Sequence, residues 1–208
     1  MKRLSKGVFV VFEGIDGSGK TTALVSVAKR LRERGYEVVE TGIGGDPFSS
    51  AILNVLKDPL SACTDKTTQT LLINAIRRHN LQTVVIPAIE RGAIVLCDRF
   101  VLSTRYYQDG CKMIESMHEQ FCTQVIPDVT LVLNVTPETA VARLDRRGTK
   151  DRFDEIDMAT RRHYQKIILD WLHAHPTNAV GICAMTEPEI VADRVENEVL
   201  KKVYQYAT

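Results

Sequence analysis

Gly14-Ile15-Asp16-Gly17-Ser18-Gly19-Lys20-Thr21-Thr22 is the stretch whose residue types and spacing can do chemistry. It satisfies the pattern Gly-x-x-x-x-Gly-Lys-[Ser/Thr], follows the apolar run Val8–Phe12 and precedes a helix-like stretch from Ala23 to Arg34. Glycine at 14, 17 and 19 permits φ > 0 and lets the backbone approach an anion without a Cβ in the way. Consecutive N–H groups can then cradle phosphate oxygens, helped by the positive end of the helix that follows. Lys20 would bridge the outer phosphates as a point charge, and the Thr21 hydroxyl would ligate the Mg²⁺ that a triphosphate carries. A glycine turn that merely caps a helix is the alternative for the loop alone, and the strand-before, helix-after context argues against it.

Positioning these residues requires a sheet with helices around it. After the first strand and helix, Tyr36–Thr41 reads as a second strand, with the loop Gly42–Pro47 at its carboxyl end, where ligands bind in open α/β sheets. Helical patterns follow over Phe48–Leu56 and Lys66–Glu90, the second interrupted by Pro87 and carrying Arg77, Arg78 and His79. Ala93–Asp98 is an apolar run ending in an acid, as expected for a buried parallel strand that presents a carboxylate at its tip. Helical patterns at Ser103–Gln108 and Lys112–Val125 lead to a strand at Val129–Val135. Pro137 then opens a helix that runs into the charged stretch Arg143–Arg152, broken by Gly148. A helix near Ile156–Ala174, a strand at Ala179–Cys183 and a helix from Pro188 to about Tyr204 complete the pattern. The alternation predicts an α/β, three-layer fold of the P-loop NTPase type: a five-stranded parallel sheet with helices on both faces, one domain over 1–208.

The 27 Lys plus Arg balance 26 Asp plus Glu, so nothing global calls for nucleic acid or an anionic membrane, and any affinity for anions must be local. Five scattered cysteines without C-x-x-C spacing fit a reduced cytoplasmic interior, with the thiols as core fillers, better than disulfides or a zinc site. The apolar run behind the basic N-terminus is too short for a signal peptide or membrane span and leads straight into the glycine loop. His173 and His175, two apart on a helix, face different ways and make a poor metal pair.

Three cationic groups could converge on phosphate: the glycine loop with Lys20, the strand tip Asp98-Arg99, and Arg143 to Arg152. Each has an ordinary explanation: a glycine turn that caps a helix for the loop, a capping aspartate and a surface ion pair for Asp98 and Arg99, and a solvated charge run paired with Asp145 and Asp151 for the third. Together they meet the needs of γ-phosphoryl transfer: a nucleotide cradle, a metal, a clamp on the acceptor and cations that close over the reacting phosphates.

The pairing of Phe12–Thr22 with Pro87-Ala88-Ile89, Asp98-Arg99-Phe100, Ser103-Thr104, Tyr107-Gln108, Asn134–Glu138 and Arg147-Gly148…Asp151-Arg152 resembles thymidylate kinase in order and spacing, from about residue 8 to 165. The resemblance implies ATP-dependent phosphorylation of dTMP or a close pyrimidine deoxynucleotide, with Mg²⁺, by a cytoplasmic homodimer packed through helices. It implies that Gly14, Asp16, Gly17, Ser18, Gly19, Lys20, Thr21, Thr22 and Arg143 hold ATP. Thr21 would ligate the metal and Asp98 would act on its water shell, with Asp16 beside the acceptor's sugar and phosphate. Arg99 would clamp the acceptor phosphate, Arg77, Ser103, Thr104 and Gln108 would line the acceptor, and Tyr107 would crowd the sugar's 2′ position. No arginine stands inside the glycine loop, so Arg147 and Arg152, on a small mobile lid at about 143–155, would supply the catalytic cation.

Departures from the family fall in acceptor recognition. Thr41–Pro47 replaces the common Arg-Glu-Pro-Gly-Gly-Thr and lacks its arginine, and Ile73 stands where a phenylalanine usually stacks on thymine. Phe48 and Tyr106 are candidates to supply the missing ring, and the segment between Arg152 and Tyr164 is shorter than usual. A different or modified base, another small-molecule P-loop kinase and a nucleotide-dependent regulatory ATPase are the alternatives. Asp98-Arg99-Phe100 stands where a switch protein would carry Asp-x-x-Gly.

Overall fold

The computed structural model describes residues 2, 4–58, 65–109, 113–122, 125–148 and 153–207. Five parallel strands, β1 (Val8–Glu13), β2 (Val38–Gly42), β3 (Ile94–Asp98), β4 (Val129–Asn134) and β5 (Ala179–Cys183), form one sheet in the order β2-β3-β1-β4-β5. This is the predicted architecture. β1 is buried along its whole length, and its alternation serves two cores. Val8, Val10 and Phe12 pack with helices α1 (Lys20–Glu33) and α9 (Pro188–Tyr206) on one face. Phe9 and Val11 pack with Leu81, Val85 and Ala88 on the other. An apolar strand with two buried faces is what a central parallel strand requires.

The other helices are α2 (Pro47–Lys57), α3 (Lys66–Asn80), α4 (Ile86–Glu90), α5 (Val101–Tyr107), α6 (Ile114–Phe121), α7 (Pro137–Arg147) and α8 (Met158–Ala174). Short polar side chains start several of them: Asp46, Asp65, Thr136 and Asp157 each accept a hydrogen bond from an amide of the first turn. The long pattern expected over Lys66–Glu90 is helical throughout but passes through a π-helical segment, Leu81–Val85, just before Pro87. The wider turn accommodates a residue that has no N–H to donate, so the proline does not end the helical run.

β1 lies between β3 and β4; the chain runs from β1 out to β2 and back to β3 on one side, then crosses β1 to β4 on the other, and this change of direction opens a crevice at the carboxyl ends of β1, β3 and β4. Phe12 is in register with Asp98, so the glycine loop and the Asp98-Arg99 tip emerge side by side. Among the described residues no helix is long and apolar enough to cross a membrane. Cys97 and Cys122 are buried, as expected of core fillers, whereas Cys183 is exposed at the sheet edge. Cys63 and Cys111 lie outside the described residues.

Candidate active site

The loop from Gly14 to Gly19 joins β1 to α1 with positive φ at Gly14, Gly17 and Gly19. A Cβ at Gly17 would lie 2.3 Å from the Ala140 carbonyl oxygen, so here glycine is required by space as well as by conformation. Lys20, buried, folds back across the loop and donates to the carbonyls of Gly14 and Ile15, at 3.0 Å each. Burial lowers its amine to about 8, helped by the Arg99 charge and opposed by Asp16 and Asp98. Thr21 donates its hydroxyl to Asp98 Oδ2 at 2.7 Å, while Asp98 Oδ1 is buried with no hydrogen-bond partner.

Arg99 is the only described non-glycine residue with φ > 0, at 72°. A conformation of this kind costs roughly 1–3 kcal/mol and is held only where its surroundings enforce it. Its amide donates to Phe12 O at 2.9 Å. Its guanidinium donates to Gly14 O and Ser103 Oγ at 3.1 Å, to the Tyr106 hydroxyl and to Asp16. Tyr107 also donates to Asp16. Burial alone would raise the Asp16 carboxyl, but the charges of Arg99 and Lys20 and the Tyr107 hydrogen bond outweigh it and hold the group down at about 2.

Two cavities meet at these residues. One, of about 490 Å³, is lined by the glycine loop from Asp16 through Thr22, by Asp98, Arg143 and Arg147, and by Thr186 and Val191 at its far end. Arg143, on α7, spans it by donating to Ser18 O at 3.4 Å and Ala184 O at 2.8 Å. The second, of about 270 Å³, is lined by Ile43, Leu53, Ile73, Thr104, Gln108 and Phe153, together with Ser103 and Tyr107. Asp16, Arg99 and Arg147 line both. Two concavities that share a pair of arginines and a carboxylate can hold two anionic ligands end to end, with their charged ends facing the same cations.

The sequence pattern that defines the thymidylate kinase family matches residues 12–195. The chain belongs to the thymidylate kinase family. It is 31% identical to the thymidylate kinase of Caulobacter vibrioides over 206 residues, covering 96% of this chain and 99% of that one. It is 40% identical to that of Caldicellulosiruptor saccharolyticus over 155 residues, covering 72% and 75%. The crystal structure of thymidylate kinase from Ehrlichia chaffeensis superposes with a TM-score of 0.73 at 26% identity, over 94% of this chain and 99% of that one. The protein is thus a nucleoside monophosphate kinase of the P-loop α/β fold.

Most residues expected at the site of this thymidylate kinase family member line one of the two cavities. Gly14 does not, and contributes its carbonyl to Lys20, Arg99 and Tyr106 instead. Arg77 is buried behind the second cavity, donating to Asn74 Oδ1, Phe100 O and Thr104 Oγ1, with Nε unpartnered. Neither ring candidate stands in for the missing phenylalanine. Phe48 packs on His79, centroids 4.7 Å apart, and Tyr106 is fully buried in the core. The ring in the second cavity beside Tyr107 is Phe153, edge-on at 5.6 Å, on the short turn at Phe153–Asp154 ahead of α8. Its spacing from the glycine loop gives no periodic signal, so only the fold reveals it. Arg143 and Arg147 sit on α7, which ends at Gly148 with φ 77°. Arg147 donates to the buried Asp154 at 2.5 Å. Arg152, the other expected lid cation, lies outside the described residues.

Proposed function

We propose that this chain transfers the γ-phosphoryl group of ATP to dTMP, the glycine-loop cavity taking the donor and the Ile73–Phe153 cavity the acceptor. The observation that carries this reading is the junction of the two cavities at Asp16, Arg99 and Arg147. Transfer between two phosphates asks the protein mainly for alignment and charge, and the junction offers both. The loop amides and Lys20 hold the donor phosphates, with Ser18, Thr22 and Arg143 around the rest of the nucleotide. Arg99 clamps the acceptor phosphate in a bidentate fork, Asp16 fixes that fork, and Arg147 bears on the transferring group. On the acceptor side Thr104 and Gln108 supply polar edges; the Gln108 amide oxygen is buried without a partner. Tyr107 and Phe153 close the sugar side.

Mg²⁺ fits the pair Thr21 and Asp98, since a buried carboxylate oxygen without a partner beside a hydroxyl suits a hydrated cation. When bound, the ion neutralises charge on the donor phosphates. The lid is read as about 143–155, and the chain as one domain that acts in the cytoplasm. Exposed Val55 on α2 and Leu71 on α3, on helices that pack together, support the homodimer expected of the family.

The test is a panel assay of ATP consumption with dTMP, dUMP, dCMP, purine monophosphates and nucleosides. Preferential turnover of dTMP is expected, and none with any pyrimidine monophosphate overturns the reading.

A pH effect follows from Lys20. Its folded value of about 8 lies below the ordinary 10.5, so between the two the unfolded chain binds more protons and the free protein gains stability as pH rises. Polyphosphate favours the ammonium form, so ATP binding above about pH 8 takes up a proton. Calorimetric titration in two buffers of different ionisation enthalpy is expected to show that uptake, and to lose it in Lys20→Ala.

A further inference from the structure

Glu13 braces the left-handed turn at Arg99 from a position outside the glycine-loop pattern. It is the last residue of β1, fully buried, and its carboxyl group accepts three hydrogen bonds. Oε1 receives the amides of Phe100 at 2.8 Å and Ser103 at 3.2 Å, and Oε2 receives the Ser103 hydroxyl at 2.6 Å. Arg99 stands at the head of this segment with φ 72°. Its own amide is held by the Phe12 carbonyl at 2.9 Å and the next amide by Glu13, so consecutive residues of β1 grip the turn on both sides. From that turn the guanidinium reaches back to Gly14 and Asp16, on the same segment as the brace.

Glu13 lines neither cavity, so it has no access to phosphate or metal. A left-handed arginine relaxes unless its neighbours hold it: the Phe12 carbonyl takes the Arg99 amide, the Cys97 thiol donates to the Arg99 carbonyl at 3.2 Å, and the Glu13 carboxyl fixes the next amide along. We propose that Glu13 is a positioning residue that sets the left-handed turn at Arg99, aims its guanidinium at the junction of the cavities, and thereby controls acceptor binding. The proposal rests on the kinase reading for what Arg99 binds.

The experiment compares Glu13→Asp and Glu13→Gln in the full chain. Aspartate is one methylene too short to reach both amides, whereas glutamine keeps an oxygen for them. Glu13→Asp is expected to raise the acceptor KM on the order of tenfold, the effect of one lost buried hydrogen bond, with ATP KM and kcat little changed. Glu13→Gln is expected to stay close to the wild-type acceptor KM. Because Glu13 acts through Arg99, Glu13→Asp in an Arg99→Ala background is expected to add no further rise. A folded Glu13→Asp with wild-type acceptor KM overturns the proposal, as does an equal added loss in the Arg99→Ala background. If Glu13→Asp does not fold, Glu13→Gln decides: a collapse of kcat would show that the carboxylate is needed for its charge, against a positioning role, and a retained kcat and acceptor KM supports it. A wild-type chain that phosphorylates dTMP while Glu13→Asp is unmoved overturns the proposal alone; a wild-type chain inactive on every pyrimidine monophosphate overturns the kinase reading.

Discussion

Replacing Lys20 by alanine is expected to lower kcat by about 10²–10³-fold, the loss that follows removal of one preorganised charge contact to a transition state. The ammonium is buried and held by two loop carbonyls at 3.0 Å, so it needs little reorganisation to meet charge that develops on the donor phosphates. The loop amides remain in the variant, and ATP binding should therefore weaken less than turnover does. Steady-state kinetics with saturating dTMP separates the two effects. Near-normal turnover would show that the amine does not serve the transferring group. The folded variant should be at least as stable as wild type below about pH 8, because the cost of charging a buried amine disappears with it.

Arg99→Ala is expected to be nearly as damaging, for a different reason. It removes the fork proposed to hold the acceptor phosphate, and it leaves the part-buried Asp16 carboxyl without that cation. Breaking a part-buried pair from one side costs less than the ~3–5 kcal/mol of a fully buried one, and a modestly lower melting temperature should accompany the kinetic defect. In turnover the expected signature is a fall of about 10²-fold or more in kcat/KM for the acceptor, with the ATP KM little affected. Arg99→Lys should restore part of the stability and less of the acceptor affinity, since a point charge cannot reproduce the planar fork. An unchanged acceptor KM together with a raised ATP KM would reassign Arg99 to the donor side.

Much of the architecture was legible in order along the chain. The glycine spacing after an apolar strand, the acid at the end of Ala93–Asp98 and the alternation of strands with helices each depend on neighbouring residues only, and each is found in the fold. Local signals were also enough to bring Lys20, Thr21, Asp98 and Arg99 to one place, because parallel strands present their carboxyl ends on the same edge. The proline at 87 misled only about continuity, since a π-helical segment absorbed it.

Side-chain direction was not legible, because it depends on contacts between residues far apart in sequence. Ile73 announced a missing ring, yet the choice among Phe48, Tyr106 and Phe153 lay with packing: His79 engages the first, the core encloses the second, and the turn ahead of α8 carries the third. Arg77 was expected to line the acceptor, yet only the fold shows it buried behind that cavity against Phe100 and Thr104. Glu13 falls within the matching stretch Phe12–Thr22, but nothing in that stretch shows its brace on Phe100 and Ser103, which spans some ninety positions. Composition and spacing thus determined the fold, the glycine loop and the class of chemistry, which rest on backbone geometry within short segments. Tertiary structure alone decided which side chains meet, because a buried charge or ring takes its role from the partners that the fold places around it.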